Sequence, residues 1–272
     1  MADSPILPAV PAQPPALATD VPQTARIWNY LLGGKDNYPA DRAVGDEIIA
    51  ATPELVEMAR LSRAYLVRTV RYLAGETGVR QFLDIGSGLP AAENTHEVAQ
   101  EVAPESRIVY VDIDPLVQAQ AKALLTSSAE GATDFVLADL RDVPTVLAEA
   151  SRTLDLSQPV ALLLMGVLGH VEDDVEAKGI IDAVMGKLAP GSYFAMYDGG
   201  DTTPENRETV RIWNLSANPR YHLRSRERFE ALFDGLDLVD PGVVSVTRWR
   251  PDSDADPEPA EIDQFGAVGR KA

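Results

Sequence analysis

From Gly78 to Tyr197 short apolar runs alternate with helical segments, and this alternation restricts the possible folds more than any other feature of the chain. The pattern predicts strands over Phe82 to Ile85, Arg107 to Asp112, Asp134 to Ala138, Val160 to Met165 and Tyr193 to Tyr197. Between them it predicts four helices. The first is opened by a capping box of Asn94 with Glu97 and ends before Pro104; the others run from Leu116 to Leu125, Pro144 to Ala150 and Ile180 to Leu188, the last stopped by Pro190-Gly191. Arg107 to Asp112 and Val160 to Met165 are almost continuously apolar, as strands covered on both faces of a parallel sheet are. Repeated strand, helix and strand require crossover connections, hence an open, mostly parallel sheet with helices on both faces. After Tyr197 the rhythm changes. Thr203 and Pro204 cap and open a helix through Asn214, Ser225 opens another that ends near Asp234-Gly235, and Leu236 to Trp249 and Gln264 to Arg270 read as strands. Only the acidic loop Pro251 to Glu261 joins those strands, so the last pair is expected to be antiparallel.

The first strand runs directly into Asp84-Ile85-Gly86-Ser87-Gly88. Glycines without a Cβ let the chain turn sharply and let a ligand approach the main chain. In doubly wound sheets ligands lie beyond the carboxyl ends of the strands, where strand order reverses. The candidate contacts are therefore Asp84, Gly86, Ser87 and Gly88 on the first strand, Asp112 and Ile113 on the second, Asp139 and Leu140 on the third, and Met165 and Gly166 on the fourth. Three successive strands end in acid. Asp112 is placed to accept both hydroxyls of a ribose, since an ionised carboxylate offers only acceptors. Asp139 suits the exocyclic amino group of adenine, with the Leu140 backbone at the ring edge. Strand-end acids also cap helices, the role expected of Asp114 before Pro115 and of Asp142. A pyrophosphate favours backbone N–H groups at a helix start, whereas the Asp84 carboxylate favours a cationic or hydroxyl-rich ligand. The run Gly86-Ser87-Gly88-Leu89-Pro90-Ala91 nevertheless satisfies a relaxed dinucleotide fingerprint, which keeps a nicotinamide-dependent oxidoreductase open.

Composition narrows the ligand class further. The formal charge of -18, from 42 acids against 24 bases, repels a phosphate backbone and argues against nucleic acid. Cysteine is absent, which removes disulfides, thiolate catalysis and cysteine-ligated metals. The imidazoles are His96, His170 and His222, and their spacing gives no metal signature. No apolar run reaches membrane-span length and no signal-peptide pattern opens the chain, so a cytoplasmic protein without membrane contact is expected. Residues 1–20, rich in proline and alanine, read as a disordered leader; 21–77 as an N-terminal helical lid or cap; and 78–272 as the ligand-binding domain. Within the cap, Ala43 to Leu73 is helical with a break near Thr52-Pro53.

The acid-x-Gly-x-Gly turn with its second-strand and third-strand acids resembles the class I S-adenosylmethionine-dependent methyltransferases, as does Leu188-Ala-Pro-Gly-Ser192 before the fifth strand. A closer likeness extends over nearly the whole chain from Thr24. Ala25-Arg-Ile-Trp-Asn-Tyr-Leu-Leu-Gly-Gly-Lys-Asp-Asn-Tyr38, Asn94-Thr-His-Glu-Val-Ala-Gln100, Val109-Tyr-Val-Asp-Ile-Asp-Pro115 and Phe233-Asp-Gly-Leu-Asp-Leu-Val-Asp-Pro-Gly242 are similar to the actinobacterial S-adenosyl methyltransferase family formerly called DUF574. The resemblance implies a Rossmann-like, doubly wound α/β fold with a mostly parallel seven-stranded sheet, an antiparallel C-terminal strand and an N-terminal helical lid. It implies S-adenosylmethionine as cofactor, S-adenosylhomocysteine as product, and in-line methyl transfer to a small-molecule acceptor. Asp84 to Gly88 would hold the methionine end, Asp112 the ribose, and Asp139 and Leu140 the adenine, with Ile113, Met165 and Gly166 as further cofactor contacts. Pro90 stands where the usual third glycine would be.

On this reading Arg26 or Lys35 pairs with the cofactor carboxylate, Tyr30 or Tyr38 closes over it, Gly33-Gly34 is a hinge, and Trp28 packs a core. His170, Tyr197 and Asp198 are the candidate bases, and Trp213, Asn214 and Arg224 roof the acceptor or pack that roof. Methyl transfer needs alignment more than an elaborate catalytic group. A non-catalytic sensor or interaction protein that keeps the same pocket therefore stands as a second reading, beside the oxidoreductase.

Overall fold

Residues 18–252 and 259–272 are described by the structure, a computed structural model. The leader expected over 1–20 lies outside the described residues as far as residue 17, as does 253–258 of the acidic loop. Three helices come first: α1 (Thr24–Leu31), α2 (Pro39–Ala51) and α3 (Leu55–Gly75). Pro39 opens α2, where its missing N–H costs nothing, and Asp41 reaches back to the Tyr38 N–H at 2.8 Å. The break at Thr52-Pro53 separates α2 from α3 as expected.

The alternating region follows as β1 (Gln81–Ile85), α4 (Thr95–Val102), β2 (Arg107–Asp112), α5 (Pro115–Leu124), β3 (Ala132–Leu137), α6 (Val143–Ala150), β4 (Ala161–Met165), one 3-10 turn at Leu168–His170, α7 (Asp174–Met185) and β5 (Tyr193–Gly199). The Asn94–Glu97 capping box forms at the start of α4. Helix α7 starts six residues earlier than Ile180, because Asp173 caps it by accepting from the Val175 and Glu176 N–H groups. The chain ends with α8 (Pro204–Ser216), α9 (Arg226–Ala231), β6 (Asp237–Leu238), β7 (Val244–Ser245) and β8 (Gln264–Arg270).

The sheet order is β3-β2-β1-β4-β5-β8-β6, with β7 also paired to β8. Strands β1 to β5 are parallel and β8 runs antiparallel to β5, β6 and β7. Strand order reverses between β1 and β4, so this is where a ligand crevice opens. The single strand expected over Leu236 to Trp249 is instead two short strands along one side of β8, separated by a turn at Pro241-Gly242. Proline donates no N–H and Gly242 has φ 81°, which together interrupt the ladder. Val246 and Trp249 are fully buried all the same, so the apolar signal there came from packing rather than from strand pairing.

One large apolar cluster joins β1, β2, β4 and β5 to α6, α7 and α9 on one face of the sheet. On the opposite face α3 and α4 cover the sheet, with Tyr65, Val70 and Leu73 packed against Phe82, Leu163 and Val268. The Tyr65 hydroxyl donates to the Met196 and Ala267 carbonyls at 3.1 and 3.0 Å, tying α3 across β5 and β8. A third cluster gathers Ile27 and Leu31 of α1, Val44 and Ile48 of α2, and Trp213 of α8. The N-terminal helical layer thus divides: α3 is a layer of the sheet, whereas α1 and α2 pack with α8 above the strand ends.

Candidate active site

A cavity of about 680 Å³ opens over the carboxyl ends of β1 to β5, roofed by α1, α3 and α8. Its floor is the β1–β4 reversal. Gly86 has φ 75°, and a Cβ there would collide with Val167; Gly166 has φ 77°, and a Cβ there would lie 2.9 Å from the Tyr197 ring. Both positions require glycine if the two strand ends are to meet beneath a ligand.

The strand-end acids line one wall. Asp84 is buried and accepts the Thr95 hydroxyl at 2.6 Å. Burial pushes its carboxyl up to about 6, only partly offset by that hydrogen bond and by Arg63. Asp112 is also raised by burial, and accepts the Gly88 and Asp114 N–H groups at 2.9 Å each. Those two bonds pin the glycine turn to β2 and leave acceptor capacity for a ligand, since a carboxylate can accept about four. Ile113 beside it is 60% exposed at the cavity. Asp139 accepts the Arg141 N–H at 2.9 Å, and Asp139 and Leu140 line the same wall. Asp114 and Asp142 cap α5 and α6 as expected.

Several lid residues take other roles than expected. Arg26 is committed to Asp114: its Nε lies 3.2 Å from one carboxylate oxygen and an Nη 3.3 Å from the other, with both side chains buried. It is therefore an internal tie from α1 to the end of β2, with no free guanidinium for a cofactor carboxylate. Tyr30 does not line the cavity; it packs over Gly45 and donates to Asp46 at 2.6 Å. Residues on a helix are spaced by about 100°, so when Arg26 and Asn29 face the cavity Tyr30 is turned toward α2. Lys35 is exposed and off the cavity, and Tyr38 packs near Leu89 and Leu116. Trp28 packs into the third cluster and also lines the cavity.

At the other wall, His170 lines the cavity, with Nδ1 2.7 Å from the Arg220 carbonyl. In the neutral ring Nδ1–H must donate to that carbonyl, which leaves the Nε2 lone pair free; Nε2 has no partner. Burial lowers the His170 pKa and keeps the ring neutral. Tyr197 faces the cavity, but burial raises its phenol far above neutrality, so it is a hydrogen-bonding group and not a base. Asp198 points to the opposite face of β5, off the cavity, because side chains alternate along a strand. It accepts the Tyr221 hydroxyl and lies 3.6 Å from Arg224 Nη1, with burial pushing its pKa up to about 7. Arg224 itself donates to the Leu168 and Val171 carbonyls and to Asp174. Asn214 exchanges hydrogen bonds with the Tyr221 backbone. Asp198, Arg224 and Asn214 thus build the loop that carries Tyr221, and Trp213 alone of the expected roof residues meets the cavity.

Two arginines escaped the sequence reading. Arg63 on α3 lines the cavity and donates to the Ala92 and Glu93 carbonyls at 3.1 and 2.7 Å, holding the loop where Glu93 takes φ 57°. Arg141 donates to the His170 carbonyl at 3.0 Å and to Glu176 at 2.8 Å. Neither lies in a motif; each is placed by a contact with a distant segment.

The dinucleotide fingerprint loses its structural context. Its last residue should open a helix, yet Ala91 is in a loop and α4 begins only at Thr95, its N-terminus already closed by Asn94 and Glu97.

Comparison with known proteins agrees with this geometry. A family model described as S-adenosyl methyltransferase matches residues 11–272. The crystal structure of a DUF574 family protein from Streptomyces avermitilis is 42% identical, with a TM-score of 0.88 over 93% of this chain and 99% of that one. A candidate methyltransferase from Thermobifida fusca is 41% identical, with a TM-score of 0.87 over 96% of this chain and 99% of that one. Human N-acetylserotonin methyltransferase, solved in complex with S-adenosylmethionine, shares the fold at 14% identity, with a TM-score of 0.51 over 85% of this chain and 57% of that one. No curated protein matches the sequence.

Proposed function

The chain belongs to the S-adenosyl methyltransferase family, and from that premise we propose that the wall at the ends of β1, β2 and β3 holds S-adenosylmethionine while the chamber over β4 and β5 holds the methyl acceptor. The enzyme is an S-adenosylmethionine-dependent methyltransferase. The observation that supports this placement is the pair of buried acids, Asp84 and Asp112, at the ends of adjacent strands and facing one cavity across a glycine turn. Asp84, Asp112, Asp114 and Asp139 all line this wall, and its arginines are engaged by Asp114 and by loop carbonyls. Such a donor set fits a cationic, hydroxyl-bearing cofactor and opposes a pyrophosphate.

When bound, S-adenosylmethionine supplies a methyl group already activated by its sulfonium. Asp84 meets the ammonium of the methionine portion, which Gly86, Ser87 and Gly88 allow close to the main chain. Asp112 accepts the ribose hydroxyls. Ile113 and Leu140 flank the adenine, whose amino group Asp139 accepts. Met165 and Gly166 form the floor, α1 is part of the lid, and His170 is the candidate base when the acceptor must lose a proton. Among the described residues no helix is long and apolar enough to cross a membrane. A small-molecule acceptor and a cytoplasmic setting complete the proposal.

Titration calorimetry checks the assignment. Wild-type protein is expected to bind S-adenosylmethionine and S-adenosylhomocysteine and not NAD. Asp112→Asn is expected to weaken both ligands by about ten- to a hundredfold, the worth of a hydrogen bond to a charged group. Unchanged affinity in that variant would remove the ribose assignment, and absence of binding by wild type would remove the whole placement.

A further inference from the structure

With the cofactor placed as above, its methionine end brings two charges to the glycine turn, and Asp84 answers only the ammonium. The α-carboxylate beside that ammonium would arrive at a cavity already lined by Asp84, Asp112, Asp114 and Asp139. An anion there loses water and meets like charge unless a cation is within reach.

Three arginines line the cavity: Arg26, Arg63 and Arg141. Among the described residues that line it there is no lysine, and burial keeps His170 neutral. Arg26 is buried in its pair with Asp114. Arg141 pairs with Glu176 at 2.8 Å and lies 3.6 Å from Asp139, beyond the end of β3, where the adenine is assigned. Arg63 forms no ion pair with any described carboxylate, and the Glu93 carboxylate of the loop it holds turns instead to Arg71 at 3.6 Å.

Arg63 belongs to the glycine-turn end of the cavity. It projects from α3 to the loop that leaves the turn, where Nε and Nη2 donate to the Ala92 carbonyl at 3.2 and 3.1 Å and Nη2 to the Glu93 carbonyl at 2.7 Å. Carbonyls orient a guanidinium without neutralising it. They engage three of its five N–H groups; Nη1 has no partner among the described residues and is not buried. Arg63 is also close enough to Asp84 to favour its ionised carboxylate. A planar fork fixed on one side by main chain and unpaired on the other is pre-organised for a carboxylate.

We propose that Arg63 binds the α-carboxylate of S-adenosylmethionine, an assignment that rests on the cofactor placement above. Asp84 and Arg63 then recognise the two ends of the zwitterion, and a cofactor without the carboxylate is discriminated against.

The test is titration calorimetry on the full chain with S-adenosylhomocysteine and with its decarboxylated analogue, S-adenosyl-3-thiopropylamine, which keeps the ammonium and the nucleoside. Wild-type protein is expected to bind the carboxylated ligand about ten- to a hundredfold more tightly, the worth of a hydrogen bond between charged groups. In Arg63→Gln, which keeps donors for the loop carbonyls but not the charge, that ratio is expected to fall to about threefold or less; in Arg63→Lys it is expected to recover in part. A role confined to holding the loop would weaken both ligands alike and preserve the wild-type ratio. An unchanged ratio in Arg63→Gln therefore overturns the assignment. The wild-type comparison depends on no variant, and equal binding of the two ligands there overturns it as well. Failure of wild type to bind either ligand overturns the cofactor placement, and this assignment with it.

Discussion

Asp84 is where burial and ligand charge oppose each other. Its carboxyl, pushed up to about 6 by burial, is partly protonated in the free protein just below neutrality. The cofactor ammonium favours the ionised form, so binding below that pKa must expel a proton. Affinity for S-adenosylmethionine is therefore expected to fall as pH drops below about 6, by up to about tenfold per pH unit, and to level off above about 7. Asp84→Asn should bind more weakly and lose that slope; a flat profile in the wild type would contradict the role given to Asp84. At this scale the acids Asp84, Asp112 and Asp139 could be read from sequence, because the carboxyl end of each strand in a doubly wound sheet opens on the ligand crevice. Tyr30 and Asp198 could not. Their helical and strand phases are set by which face packs inward, and that depends on Gly45 in one case and on Tyr221 and Arg224 in the other.

Among the elements, α1 has the most consequential anchor. The Arg26–Asp114 pair is buried at both ends, so Arg26→Ala leaves an uncompensated carboxylate and is expected to cost about 3–5 kcal/mol. Denaturant unfolding of Arg26→Ala, Asp114→Asn and the double variant checks this. Asparagine can still cap α5, so the double variant should recover most of the loss; if it does not, α1 is held by its apolar contacts instead. Elements whose signals are local were legible: the Asn94–Glu97 box, the Thr203-Pro204 start and the full span of β8. The start of α7 lies ahead of its apolar stripe, where only Asp173 and the acidic first turn mark it, and the Leu236 to Trp249 stretch was obscured because buried apolar residues imitate a strand.

The whole molecule carries a net charge of -18, and it buries carboxyls besides. Asp84 and Asp198 are raised to about 6 and about 7 from an ordinary 3.8, so the folded chain holds these protons more tightly than the unfolded chain. Their contribution favours folding at acidic pH and is lost as pH rises through those values. Relief of charge repulsion acts in the same direction. The melting temperature of the free protein is expected to be a few degrees higher at about pH 6 than at about pH 8, and Asp198→Asn should reduce the difference. An unchanged or inverted order would mean that Arg224 keeps Asp198 ionised throughout. The sharing of α1 has a kinetic consequence. One face of this helix is pinned by Arg26 to Asp114, just past the strand to which the ribose is assigned, and another packs on Trp213 at the cavity roof. α1 thus meets the cavity at two places, and its backbone amides are expected to exchange with solvent more slowly once S-adenosylhomocysteine is bound, which hydrogen exchange would read.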